Sequence, residues 1–529
     1  MKDLNINRSR MKLRSSSSRE VKISQNFDSQ GGDESAVDNM NPTSKALRNP
    51  LILDLILAHL SDLTDLKRAR LVCRNWAEVG ASLLGKRTAL NVNKLIRYDE
   101  GSKMYLVTPV AANLMRRISM LDKCDPSVPH NKVANVITKV FAELGQCTRE
   151  IHCEVTYIKF VTAFFNGLRK LKKSKTNIQH ISVTVWVIAL SLGKEGYPTF
   201  TNKLPVQTNL TSIEFQLYDR IGGGSYAFKP LLQILLDSAP NLTSLKVCWP
   251  FYPNLQGCKN LKVFKFDLVW CAAFNVPDKV AAIGILAQVK DTLIDLELGS
   301  IADDTVDLPQ SQTLDVPVMS KVVSVTINLL NEDHLPALKS LFLSVNGRPE
   351  ALIWPRHLNL WKRHRGVKSL RIELLQSWMM EMEAHAIGGQ IVRLFPSVKK
   401  FELILCLLLK RNMSIQEINE MLTPYQNLDL EEASVRCDNV SASSVMVAVL
   451  ENAASWKGVK NVHFRHACIM QDDFSASIQN LILHSKGFKS VKICGNALPE
   501  ILEVVQPILE ESGAPIHVTG GVVLNQVRY

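Results

Sequence analysis

The side chains best suited to metal chemistry lie close together at His463, His466 and Cys468. A structural zinc ion takes four ligands, and no second pair follows these residues at a metal-site spacing. His463 also falls on a predicted strand position that faces away from the core. We therefore expect no metal ion at these residues.

Residues 222–226 read Gly-Gly-Gly-Ser-Tyr and lack the Lys-Ser/Thr ending of a phosphate-binding loop. The sequence also lacks a Gly-x-Ser-x-Gly nucleophile motif, a glycine-rich dinucleotide fingerprint and the paired Cys/His array of a RING-type ligase. An exposed loop accounts for the glycines. The chain is therefore predicted to be no enzyme and to bind no cofactor.

Composition indicates an ordinary globular protein of 529 residues, 46% apolar and 21% charged. No stretch approaches 18 uninterrupted apolar residues, so we expect no contact with a membrane. The eleven cysteines include no Cys-x-x-Cys pair, which favours reduced thiols in the cytoplasm, the nucleus or both. The formal charge of +12 is dispersed along the chain, so nucleic acid is not an expected partner.

A compact set of helices is predicted between Asn49 and Trp76. Asn49 is a favourable N-cap residue, and Pro50 suits the first position of a helix. Apolar residues then recur at three- and four-residue spacing from Ile52 to Leu60, which forms one apolar stripe. About 35 residues bury their own apolar surface poorly, so this set of helices is expected to need a partner.

The same stretch resembles the F-box, because Pro50 is followed by Asp65-Leu66, five residues and Val72-Cys73-x-x-Trp76. An ordinary pair of amphipathic helices in a larger helical domain is the alternative interpretation. The resemblance implies docking on the Skp subunit of a Skp–cullin–F-box ubiquitin ligase, and through Skp on the cullin. The residues implied for Skp binding are Pro50, Ile56, Leu57, Leu60, Leu66, Val72, Cys73 and Trp76.

Beyond Leu90 the unit apolar-x-x-apolar-x-apolar recurs, which is the pattern of a short strand with alternate residues buried. Fourteen copies start between residues 115 and 488, and eleven of the thirteen steps between them span 29 to 33 residues. Segments with helical patterning, such as Ile415 to Leu422, lie between the copies. Because the step from 322 to 338 is only 16 residues, we expect one of those two strands to lie outside the repeat array.

Strand, loop and helix at this period resemble the leucine-rich repeat, whose core Leu-x-x-Leu-x-Leu-x-x-Asn is matched from Leu338 to Asn346. The implied fold class is α/β: a small helical F-box followed by a leucine-rich-repeat horseshoe solenoid of strand-loop-helix repeats. The competing fold is a pair of doubly wound α/β domains. The expected domains are a disordered tail at 1–46, the F-box at 47–90, a linker at 91–114 and the solenoid at 115–529.

Residues between the apolar positions of each strand are expected to point away from the core and line the concave surface. Five basic or titratable residues at such positions are candidates for target binding: Arg371, Lys400, His463, Arg465 and Lys492. The last two predicted strands carry only neutral or basic residues there, which suits an acidic or phosphorylated segment. The loop around Trp249 to Tyr252 is a second candidate for recognition.

Two functions follow from this interpretation. In the first, the chain is a substrate adaptor whose F-box binds Skp while the repeats hold a protein target for ubiquitination and degradation. In the second, the repeats form an interaction scaffold whose binding does not lead to degradation, and a nucleic-acid-binding role ranks below both.

Overall fold

The computed structural model describes most of the chain after residue 41. The described residues are 42–99, 101, 104–108, 110–121, 130–144, 147–156, 158–171, 177–187, 202–219, 228–249, 251–268, 279–298, 317–326, 332–343, 358, 363–375, 384–407, 414–440, 442–467, 471–495 and 499–520. Of the tail predicted at 1–46, residues 1–41 lie outside these ranges, and so do the glycine-rich stretch 222–226 and Cys468, whereas residues 42–46 are helical. No helix in these ranges is long and apolar enough to cross a membrane.

The chain divides into two compact units, Met1–Gly80 and Ala81–Tyr529. The described part of the first unit is helical. It holds α1 (Pro42–Arg48), α2 (Pro50–Ala58), α3 (Leu63–Ala69) and the beginning of α4 (Arg74–Arg87).

The second unit alternates strands with helices. Its strands are β1 (Leu90–Asn91), β2 (Ile96–Asp99), β3 (Met104–Val107), β4 (Arg117–Leu121), β5 (Glu150–Val155), β6 (His180–Val187), β7 (Ser212–Asp219), β8 (Ser244–Trp249), β9 (Val263–Leu268), β10 (Asp295–Leu298), β11 (Ser324–Thr326), β12 (Ser340–Leu343), β13 (Ser369–Leu375), β14 (Lys400–Cys406), β15 (Glu432–Asp438), β16 (Val459–Ala467), β17 (Ser490–Gly495) and β18 (Ile516–Gly520). Its further helices are α5 (His130–Leu144), α6 (Ile158–Lys170), α7 (Lys229–Ser238), α8 (Lys279–Val289), α9 (Ala384–Leu394), α10 (Ile415–Leu422), α11 (Ser443–Ala454), α12 (Gln471–Ser485) and α13 (Pro499–Ser512).

Sixteen of these strands form one parallel sheet, and β2 pairs with β3 in a separate antiparallel hairpin. β4 lies beside β1, and from β5 to β18 every strand lies beside the strand that precedes it in the chain. A doubly wound sheet reverses its strand order at a switch point, so the competing fold is excluded for the described strands. The second unit is a solenoid-like α/β fold.

The register keeps apolar residues on one face of the sheet. In β15 the side chains of Ala433, Val435 and Cys437 are buried while those of Ser434 and Arg436 stay accessible. The same alternation holds in β4, β5 and β8. The buried residues join one apolar core that runs from Val92 to Ile516. We call the opposite, accessible side of the strands the open face.

Each of the fourteen predicted repeat copies overlaps a strand, from β4 to β17. The prediction about the short step at 322 and 338 is wrong, because β11 and β12 pair with each other in the sheet. In the described part of this connection a single turn of 3-10 helix, Glu332–His334, stands where many other repeats have an α-helix. A connection that short suffices because the backbone only has to return to the start of the next strand.

Candidate functional site

Local capping fixes the helices of the first unit. The Asn49 side chain accepts a hydrogen bond from the backbone N–H of Leu51 at 2.9 Å, which caps α2, and Pro50 occupies its first turn. The Asp62 side chain caps α3 in the same way by accepting from Thr64 N at 2.8 Å. The Trp76 indole N–H donates to the carbonyl oxygen of Leu47 at 3.3 Å and so ties α4 to α1.

Helix α2 is apolar on nearly all sides, yet only Leu53 and Leu57 are buried. A helix of that composition is normally covered on every side. Seven large apolar residues in the described part of the unit are exposed, and we call them together the apolar surface. Its members, with their exposed fractions, are Leu51 77%, Ile52 37%, Leu55 65%, Ile56 43%, Leu63 36%, Leu71 86% and Val72 64%.

The eight residues predicted for Skp binding therefore occupy different environments. The exposed ones are Pro50, Ile56, Val72 and Cys73; the half-buried ones are Leu60 and Trp76; the buried ones are Leu57 and Leu66. Sequence reasoning missed Leu51, Leu55 and Leu71 as surface residues. For Leu51 and Leu55, the signal that could have found them is the apolar composition of α2 on all sides.

The open face of the second unit presents continuous rows of side chains, because the parallel strands stay in register. One row runs through Ser119, His152, Ser182, Glu214, Lys246, Lys265 and Glu297 on β4 to β10, and through Phe342, Arg371, Glu402, Ser434, Asn461 and Ser490 on β12 to β17. Neighbouring strands lie about 4.8 Å apart, so successive residues of a row can touch.

Most cations on the open face have a carboxylate partner on an adjacent strand. Their N···O distances run from 2.7 to 3.5 Å in Arg117–Glu150, Lys246–Glu214, Lys265–Glu297, Arg371–Glu402 and Lys400–Glu432. The hydrogen bond to Glu297 raises the pKa of Lys265. Arg371 also lies over the Phe342 ring, 4.6 Å from its centroid. Two of the predicted target-binding residues, Arg371 and Lys400, are thus engaged within the sheet.

The other three predicted target-binding residues come together at the C-terminal end of the sheet. His463 on β16 is the register partner of Lys492 on β17, and Arg465 follows His463 on the same side of its strand. Arg465 and Lys492 are exposed, and neither has a carboxylate within 4.0 Å among the described residues.

An aromatic and acidic cluster on the open face escaped sequence reasoning. Trp186 and Tyr218 stack with ring centroids 4.3 Å apart, and the indole N–H donates to Glu154 at 3.1 Å. Burial raises the pKa of Tyr218, and burial with the Asp267 carboxylate raises that of Cys248 to about 12. Both groups therefore stay protonated at neutral pH. The signal was present as two aromatic residues 32 positions apart at matching strand positions.

The loop proposed as a second recognition site begins in the core. Trp249 is only 1% exposed, and its ring meets the edge of Phe215 with centroids 4.8 Å apart. Phe251 and Tyr252 are half-buried against the same core. An indole held in this way stabilises the sheet rather than offering itself to a ligand.

No known protein-family model matches the sequence. No curated protein is significantly similar to it. Across the part of the chain that the structure describes, no three His, Cys, Asp or Glu side chains group closely enough to hold a metal ion.

Proposed function

We propose that this protein is the substrate-binding subunit of a Skp–cullin–F-box ubiquitin ligase. In this proposal the helices at 47–90 are an F-box that docks on Skp. The strands and helices at 115–529 are leucine-rich repeats that hold a protein target. The ligase would then transfer ubiquitin to lysines of that target, and this chain contributes proximity and orientation rather than chemistry.

The observation that carries the proposal is the apolar surface on the first unit. Leu55 is 65% exposed and Leu71 is 86% exposed, although each would gain about 1.5–3 kcal/mol from full burial. Several large apolar side chains left exposed on one small helical unit favour a protein–protein contact. Their order around Asp65-Leu66 and Val72-Cys73-x-x-Trp76 follows the F-box pattern, so Skp is the occupant that we propose.

The second unit suits the target-binding role. Parallel strands in register display long rows of accessible side chains on a rigid support, and stacked repeats create extended binding surfaces of this kind. The scaffold alternative would use the same open face but would leave the apolar surface without an occupant. The adaptor accounts for both surfaces.

The test is to replace Leu55 and Leu71 together by Glu in the full chain and to measure binding to purified Skp. Burial of two charges in an apolar contact, with the loss of two anchors, should weaken binding about 100-fold or more. The matched control is Ser61→Glu with Thr64→Glu, which adds the same charge at exposed polar positions of the same unit. It should bind like the wild type.

Circular dichroism and thermal melting check that the double variant keeps its fold. Leu57→Ala serves as the contrast, because Leu57 is 1% exposed and its truncation should cost about 2–5 kcal/mol of stability. Wild-type binding to Skp and cullin by the folded Leu55/Leu71 variant would refute the adaptor proposal. A protein that accumulates in cells carrying this variant, compared with wild type, would be the target.

A further inference from the structure

The C-terminal strands of the open face bring a row of basic side chains together. Arg436 on β15, His463 on β16, Lys492 on β17 and His517 on β18 are successive register partners. Arg465 lies two residues after His463 on β16, on the same face of the strand. We call these five residues the basic row. Strand spacing places neighbouring members about 4.8 Å apart at the backbone.

The basic row differs from the rest of the open face in its charge balance. The described residues of β16, β17 and β18 include no Asp or Glu. Asp438 on β15 is the register partner of Arg465, but its carboxylate pairs with Arg436 at 3.3 Å. Arg465 and Lys492 therefore carry positive charge for which the described part of the sheet supplies no ion-pair partner, whereas the cations of β4, β8, β9, β13 and β14 have one.

The pKa of His463 reflects this excess of positive charge. Burial lowers the pKa of His463, and the positive charges of Arg465 and Lys492 lower it further. The Asp438 carboxylate raises the pKa of His463, and the Arg436 guanidinium lowers it. Burial first and the neighbouring cations second both disfavour the charged imidazole, and an anionic ligand would oppose the effect of the cations.

Further polar groups lie beside His463 on β17 and β18. The His463 ring nitrogen Nε2 lies 3.4 Å from the Cys494 sulfur, and the Thr519 hydroxyl donates to that sulfur at 3.1 Å. Guanidinium, ammonium, imidazole and hydroxyl groups are therefore carried by three adjacent strands of the open face. A single carboxylate offers two oxygens, whereas a phosphate monoester offers three acceptor oxygens and a charge near −2.

We infer that the basic row binds a phosphorylated segment of the target protein. The inference rests on the proposed function, since it names the chemistry by which the repeats would recognise their target. Arg465 would provide a planar pair of donors to the phosphate and Lys492 a point charge. Phosphorylation of the target would then control its capture.

The experiment uses the full chain and three degenerate peptide libraries that differ at one fixed position. That position holds phosphoserine in the first library, Ser in the second and Glu in the third. The expected result is enrichment of phosphoserine peptides over both other libraries. Fluorescence anisotropy on an enriched peptide then compares wild type with Arg465→Gln/Lys492→Gln, which should bind at least about tenfold more weakly because charge-assisted hydrogen bonds are lost.

The matched control is Lys339→Gln/Lys368→Gln, which removes the same charge at exposed positions just before β12 and β13. Its affinity should stay within about twofold of wild type, since distant surface charges are screened. Equal weakening in both variants, no preference for phosphoserine, or stronger binding to single-stranded RNA of equal charge would overturn the inference.

Skp binding separates this inference from the proposed function. Arg465→Gln/Lys492→Gln should bind Skp like wild type, because the substitutions lie in the second unit. Failure of phosphopeptide binding with Skp binding intact refutes only the ligand. If the Leu55→Glu/Leu71→Glu variant still binds Skp like the wild type, the adaptor proposal is refuted.

Discussion

Replacing Trp456 by alanine tests whether the second unit is stabilised repeat by repeat. Trp456 is 4% exposed, and its ring centroid lies 5.7 Å from that of Phe401 and 5.9 Å from that of Tyr425. Phe401 belongs to β14, Tyr425 to the 3-10 turn Thr423–Asn427 and Trp456 to the turn after α11. One indole thus joins the repeats that carry β14, β15 and β16.

Truncation of a buried tryptophan to alanine costs about 3–5 kcal/mol, because transfer energy is lost and a cavity remains. Since about 1.4 kcal/mol corresponds to a tenfold change in an equilibrium constant, this loss of stability lowers the protection factor for hydrogen exchange roughly 150- to 4,000-fold. In stacked repeats each unit contacts only its neighbours. The loss should therefore concentrate in β14, β15 and β16.

Hydrogen-exchange mass spectrometry resolves the effect strand by strand. The matched variant is Phe164→Ala, since Phe164 is fully buried and meets Phe141 at 5.1 Å between centroids near β5 and β6. Each variant should accelerate exchange around its own site and leave the other region protected. Equal acceleration in both regions for both variants would show one cooperative unit and refute the reasoning from nearest-neighbour packing.

Three further predictions concern single residues. Gly458→Ala should destabilise the fold by about 1–3 kcal/mol in chemical denaturation, because Gly458 has φ +81° and an added Cβ would lie 2.6 Å from the Leu430 carbonyl oxygen. Asp429→Asn should lower the melting temperature slightly at pH 6 in low salt. Hydrogen bonds from Lys399 and Lys457 hold the pKa of Asp429 at about 2 against an ordinary 3.8, so the difference from wild type should vanish as pH falls through that interval or as salt rises. Burial lowers the pKa of His180 below 6.5, so protonation is easier in the unfolded chain. Stability should therefore fall as pH drops below 6.5, and the slope of melting temperature against pH should be shallower in His180→Gln; an unchanged slope would contradict the assigned cause.

Sequence reasoning located the repeats well because their signal is local. Alternation of apolar residues defines each strand, and the recurrence of that pattern every 30 residues or so defines the array. The hairpin β2–β3 and the last strand β18 were not predicted. The step between β11 and β12 was misjudged because sequence length alone does not show whether a helix or a single turn closes a repeat.

The sequence by itself determined which residues of each strand face the core, and it determined the cap at Asn49, because both depend on neighbours within a few positions. Tertiary structure alone decided which apolar residues of α2 are buried, since the helix is apolar on nearly all sides and its composition favours none. It also decided the charge pairs. Arg371 meets Glu402 at 3.5 Å while Lys492 meets no described carboxylate, because the partner of an open-face residue lies a whole repeat away and is chosen by strand register.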